Sequence, residues 1–246
     1  MQIIRQLKNL RTLGEKALAV FLDPDKLKNP IELRSLLSLI NNSKVDFILV
    51  GGSLLVEDNF HACLKEIKKS TILPVILFPG SPTQISSEAD AILFLSLISG
   101  RNPELLIGQH VVAAPLLSKM DIEILPTGYM LVDCGKPTTA SYISQTLPIP
   151  WNKPEIAAAT AMAGQMLGLK CMYLDGGSGA EKPVSVSMIR AVRESTHIPL
   201  IVGGGIRNEE QAAAAYAAGA DLVVIGTAFE EEPELLFAIV DAKNNH

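Results

Sequence analysis

Eight short apolar runs, each stopping at glycine or at a small polar cluster, recur along the chain, and most are followed by a stretch with helical spacing. The first five cover residues 17–22, 46–50, 73–78, 91–97 and 123–131. The last three carry glycine-rich tips, at 173–179, 199–207 and 222–228. Regular strand-then-helix alternation builds a parallel sheet, because parallel neighbours need a long crossover between them. Eight such units favour closure into a barrel, and 246 residues suit an eight-fold α/β barrel, with an open doubly wound sheet as the alternative. Only about a dozen residues separate the third run from the fourth, too few for a full helical crossover. The fold expected is therefore a modified TIM (β/α)8 barrel with one outer helix shortened or missing, formed as a single domain by residues 1–246.

Composition narrows the partners. The net charge of −5 and the lack of a long basic run argue against a nucleic-acid surface or a polybasic membrane patch. The apolar runs are strand-sized and far below the ~18 residues of a spanning helix. Residues 1–12 carry three basic side chains among helically spaced leucines and isoleucines, without the features of a signal peptide, so a cytoplasmic location is expected. Cys63, Cys134 and Cys171 are odd in number and widely separated, which reads as buried thiols rather than disulfides or a zinc site.

The three glycine-tipped runs carry the chemistry. In a barrel, loops at the C-terminal ends of the strands share one mouth, and the last strands commonly bind phosphate there. Tyr173, Leu174, Asp175, Gly176, Gly177, Ser178 and Gly179 end a strand in one carboxylate and a loop whose N–H groups would converge on an anion. Gly204, Gly205, Gly226 and Thr227 fall at the next two strand ends, where backbone donors and a helix N-terminus would suit a dianion. Asp175 is placed to accept a proton from a neighbouring hydroxyl. Asp23 at the end of the first strand and Ser53 at the end of the second read either as oxygen ligands for magnesium or as caps of the helices that follow. Lys26 reads either as a diphosphate contact or as solvated surface.

Phe21-Leu22-Asp23-Pro24-Asp25-Lys26, Val50-Gly51-Gly52-Ser53, Pro126-Thr127-Gly128-Tyr129, Tyr173 to Gly179, Ile201 to Arg207 and Ile225-Gly226-Thr227, taken together and in order, resemble the geranylgeranylglyceryl phosphate synthase family. The resemblance implies an enzyme that joins sn-glycerol 1-phosphate to a prenyl diphosphate through an ether link, with Mg2+ as cofactor, on a barrel lacking one outer helix. It implies Asp23 and Ser53 as magnesium ligands, and residues 173–179 with Gly204, Gly205, Gly226 and Thr227 as the glycerol-phosphate site. Asp175 stands where the family usually has glutamate, one methylene longer. Bacterial heptaprenyl relatives have lysine where this chain has Phe21, which points to a geranylgeranyl donor. Dimers or hexamers are expected by analogy.

The residue chemistry agrees with that reaction. Breaking an allylic carbon–oxygen bond leaves an electron-poor prenyl fragment and a diphosphate that magnesium and Lys26 would stabilise. The glycerol hydroxyl would attack while Asp175, with Tyr173 beside it, takes the proton. Phe94, Leu95, Leu97, Ile98, Tyr129, Met130 and Leu131 on the middle strands are candidates for a prenyl groove or for plain core. A roughly twenty-carbon tail would bind mainly through burial, at about 0.8 kcal/mol per CH2. A flavin-dependent or sugar-phosphate barrel, or a non-catalytic phosphometabolite-binding barrel, shares the last two glycine stretches and is the rival reading.

Overall fold

The computed structural model describes residues 2–27, 29–226, 229 and 232–245. Eight parallel strands close a barrel: β1 (Ala17–Leu22), β2 (Phe47–Gly52), β3 (Val75–Pro79), β4 (Ala91–Leu97), β5 (Glu123–Asp133), β6 (Cys171–Asp175), β7 (Leu200–Gly203) and β8 (Leu222–Ile225). Each pairs with its sequence neighbours, and β8 returns to β1 with Ala17 beside Leu222. A two-residue strand, Ile149–Pro150, adds to the end of β5. The irregular stretch before it holds one short capped helix, Thr139–Ser144.

Strand side chains alternate between two cores, as a period of two requires. Ala17, Ala19, Phe47, Leu49, Ile76, Leu93, Leu125, Ile201 and Val224 fill the barrel. Leu18, Val20, Ile48, Val50, Val75, Leu77, Leu174, Val202 and Val223 face the helical layer. Burial on both faces explains why the strands read as continuous apolar runs. The three cysteines are buried and free, and burial raises their thiols to about 11 (Cys63 and Cys171) and about 12 (Cys134), so they are inert core groups.

The two ends of the barrel differ. Helix α1 (Ile3–Leu13) closes the N-terminal end, inserting Ile3 and Leu7 into the interior core. Its first N–H groups, on Gln2, Ile3 and Ile4, donate to the Glu123 carboxylate at 2.7, 2.7 and 3.1 Å. An anion at a helix N-terminus both satisfies orphan donors and meets the positive end of the helix dipole. Three aspartates just before strands act alike. Asp46 accepts from Leu18 N–H, Asp90 from Val75 N–H and Asp221 from Leu200 N–H. Asp46 and Asp221 thus have structural roles at the starts of strands.

At the other end one helix is absent, as expected. Between β3 and β4 only a single 3-10 turn, Pro82–Gln84, intervenes. The buried Gln84 side chain takes over part of the bracing, donating to Gly52 C=O at 2.8 Å and accepting from Gly52 N–H and Gly80 N–H at 3.1 and 3.2 Å. The next crossover begins with a π-helical turn, Glu104–Gly108, and continues as α2 (Gln109–Leu117). Among the described residues, no helix is long and apolar enough to cross a membrane.

Replacing Glu123 with alanine should lower unfolding stability by about 1 kcal/mol, the size of a lost helix cap, whereas Glu123→Gln should retain most of it. Urea denaturation of the two variants checks this, and equal stability of Glu123→Ala and the parent would contradict the capping role.

Candidate active site

A cavity of 230 Å³ opens at the C-terminal mouth of the barrel, its wall running from Phe21 and Ser53 across Tyr173 and Asp175 to Gly226. Parallel register sets its floor. Tyr129 on β5 lies beside Tyr173 on β6, and Asp175 lies beside Gly203 on β7.

Asp175 is buried and held on both oxygens. The Tyr129 hydroxyl donates to Oδ2 at 2.6 Å, and the Gly177 N–H donates to Oδ1 at 2.7 Å. Burial raises its pKa above the usual aspartate range, against the pull of these two donors towards the charged form. The Tyr129 and Tyr173 phenols are pushed well above their ordinary values, by burial first and by the Asp175 charge second, so both hydroxyls keep their protons.

The glycine loops approach one another as closely as backbone permits. Gly204 has φ +82°, and a Cβ there would lie 2.5 Å from Gly177 N and 2.8 Å from Asp175 Oδ1. A Cβ on Gly203 would lie 2.5 Å from the Tyr173 hydroxyl. Residues 177–179, Gly204, Gly205 and Gly226 all border the cavity. Two of the expected anion donors are spent internally, since Gly176 N–H donates to Gly203 C=O at 2.9 Å and Gly177 N–H serves Asp175. The helix after β7, α3 (Glu209–Ala217), is likewise capped by its own Asn208. Thr227 lies outside the described residues. Positive charge comes from side chains that the motif reading did not single out. Arg207 borders the cavity while donating to Ala180 C=O at 2.8 Å, and Lys136 Nζ stands 3.6 Å from where a Cβ on Gly179 would be.

Asp23 directly follows β1 and Ser53 directly follows β2, on neighbouring strands. Asp23 Oδ1 accepts from Asp25 N–H at 3.1 Å and stands 3.5 Å from where a Cβ on Gly52 would be. A carboxylate and a hydroxyl are hard oxygen donors of the kind magnesium accepts, with water and phosphate oxygens completing its shell. Among the described residues, no group of three or more His, Cys, Asp or Glu gathers to form a protein-only metal site. Lys26 is exposed on the same turn, its N–H donating to Asp23 C=O at 3.1 Å.

The apolar arm of the cavity runs along β4 and β5. Phe94, Leu95, Leu97, Tyr129 and Leu131 border it, as expected for a groove, together with Leu105 and Ala113 from the next crossover. Met130 and Ile98 instead pack into the outer helical layer, because strand alternation turns Met130 away from the mouth. His110 also borders the arm, its Nε2 3.1 Å from Ser96 Oγ and its ring edge-on to Phe94 at 4.4 Å. Burial lowers its pKa, favouring neutral imidazole.

A family model described as the PcrB family matches residues 11–243. The chain belongs to the PcrB family. Within this family's range of sequences, the chain is 55% identical over 230 residues to the geranylgeranylglyceryl phosphate synthase of Spirosoma linguale, covering 94% of this chain and 92% of that one. It is 51% identical to the enzyme of the same name from Chitinophaga pinensis, covering 93% and 90%. A crystal structure of (S)-3-O-geranylgeranylglyceryl phosphate synthase from Thermoplasma acidophilum, in complex with its substrate sn-glycerol-1-phosphate, superposes with a TM-score of 0.92 at 35% identity over 100% of both chains. The resemblance drawn from the motifs is therefore borne out.

Gly204→Ala should weaken binding of inorganic phosphate at least about tenfold, or 1.4 kcal/mol, because the new methyl displaces the Gly176–Gly177 backbone. Titration followed by phosphorus NMR checks this, and unchanged affinity would show that the loop is not part of an anion site.

Proposed function

We infer that the chain is a prenyltransferase that forms an ether between sn-glycerol 1-phosphate and geranylgeranyl diphosphate, releasing diphosphate. The observation that carries this is one buried carboxylate, Asp175, standing between a glycine-lined anion site and a long apolar arm. An acceptor phosphate held by the loops at 177–179, Gly204, Gly205 and Gly226, with Arg207 and Lys136 supplying charge, puts the glycerol hydroxyl towards Asp175. The donor tail lies along Phe94, Leu97 and Tyr129. Cytoplasmic location and homo-oligomeric assembly belong to the same reading.

Asp175 accepts the proton of the attacking hydroxyl, and the absence of one methylene relative to glutamate is offset by the Tyr129 and Gly177 donors, which fix the shorter carboxylate. Tyr173 forms the floor beneath the acceptor. Magnesium, when bound, would be held by Asp23 and Ser53 and would neutralise diphosphate charge. Lys26 on the same turn serves that end of the donor.

Mass spectrometry after incubation with magnesium, geranylgeranyl diphosphate and either glycerol phosphate enantiomer should give the ether from sn-glycerol 1-phosphate alone. Product from neither enantiomer would refute the assignment. Asp23→Asn should remove magnesium-dependent turnover and leave acceptor binding within about twofold, since the two roles are assigned to different residues. Loss of both together would contradict that division. The base must be ionised to work, so turnover should fall as pH drops through the raised Asp175 value. Tyr129→Phe removes a donor that favours the ionised form, so the acid limb of the pH–rate profile should move to higher pH. An unmoved limb would mean that Asp175 is not the group titrating.

A further inference from the structure

Four aromatic rings meet at the cavity wall. Phe78, at the end of β3, stacks on Tyr173 with centroids 5.0 Å apart and planes at 24°. Tyr129 stands edge-on to both, at 5.7 Å from each. Phe21 meets Phe78 edge-on at 5.7 Å. All four rings border the cavity, but Tyr129 and Tyr173 are buried while Phe21 and Phe78 are only half-buried. The half-buried pair is thus the part of the cluster open to a ligand. Phe78 packs with the barrel-interior side chains and borders the mouth cavity, so its open part faces that cavity.

The rings also lie beside the proton acceptor, because the Tyr129 hydroxyl donates to Asp175 at 2.6 Å. Resting on the reaction proposed above, we propose that Phe78, backed by Tyr129 and Tyr173 and flanked by Phe21, stabilises the electron-poor allylic carbon of the prenyl donor. In that step the C1–O bond to diphosphate breaks and its electron pair leaves with the diphosphate. Positive charge spreads over the allyl carbons. A lone pair of the acceptor hydroxyl then forms the new C–O bond, and its proton passes to Asp175. A cation over an aromatic face is attracted by the ring quadrupole, most strongly where water is excluded. Phenylalanine offers this attraction without a lone pair that the carbon would alkylate. The Tyr129 hydroxyl is engaged with Asp175, and burial keeps the Tyr173 phenol protonated. Phe78 is therefore a catalytic residue on this account, acting on the donor rather than on the acceptor.

The test replaces Phe78 with mono-, di- and trifluorophenylalanine, which keep the ring while draining its quadrupole. With sn-glycerol 1-phosphate, geranylgeranyl diphosphate and magnesium, kcat should fall about two- to threefold per fluorine, while both KM values and acceptor binding stay near those of the parent. Phe78→Leu should lose at least as much as the trifluoro variant. A flat fluorine series with an active parent would overturn the aromatic role alone. No product from the parent would overturn the reaction assignment, and the aromatic role with it.

Discussion

The site depends on one buried carboxylate and the two donors that hold it. Asp175 is far enough from water that its charge is disfavoured, yet the Tyr129 hydroxyl and the Gly177 N–H keep the ionised form within reach. Opposed pulls of this kind leave a carboxylate more basic than usual and still able to accept a proton. The same bonds tie together three parts of the mouth. Tyr129 comes from the groove side, Gly177 from the anion loop, and Gly204 is pressed against both the loop amides and the Asp175 oxygen. On the reaction proposed above, acceptor, base and donor would thereby be fixed relative to one another by backbone and hydrogen bonds rather than by flexible side chains.

The barrel supports this by treating its two ends differently. The N-terminal end is sealed by α1 and by a ring of carboxylates that satisfy strand and helix N–H groups. The C-terminal end is opened where a helix is missing, and Gln84 braces the exposed ends of β2 and β3. An outer-layer gap of this kind would be a defect in a barrel that binds only small polar ligands. Here the cavity runs along Phe94 and Leu105 as an apolar arm, which under the proposed function would bury the donor's hydrocarbon chain.

Much of this was legible in the chain because it depends on local pattern. Strand ends at 22 and 97 coincide with the last apolar residue of each run, the strand ending at 175 runs one residue past its last apolar side chain, Leu174, and the short interval after Phe78 announced the missing helix. Asp175 was visible because a lone carboxylate at a glycine-rich strand end has few other uses. What sequence spacing did not carry was contact across the barrel. Tyr129 read as groove lining, but its hydroxyl reaches β6. Phe78 was not singled out in the sequence and Phe21 only as a mark of the donor branch, although neighbouring strand ends stack Phe78 on Tyr173 and bring Phe21 edge-on to Phe78. Gly176 and Gly177 read as anion donors, yet pairing with β7 and with Asp175 turns their N–H groups inward. Met130 and Ile98 show the reverse error, where an apolar run near the mouth was read without its alternation.

The central claim is that Asp175 is a buried base poised by Tyr129 and Gly177. The most direct measurement is a pH titration of its side-chain carboxyl by carbon-13 NMR in the free protein. The account predicts a midpoint above the ordinary aspartate range, rising further when sn-glycerol 1-phosphate brings a second negative charge beside it. A midpoint at or below the ordinary range, unmoved by the acceptor, would contradict it.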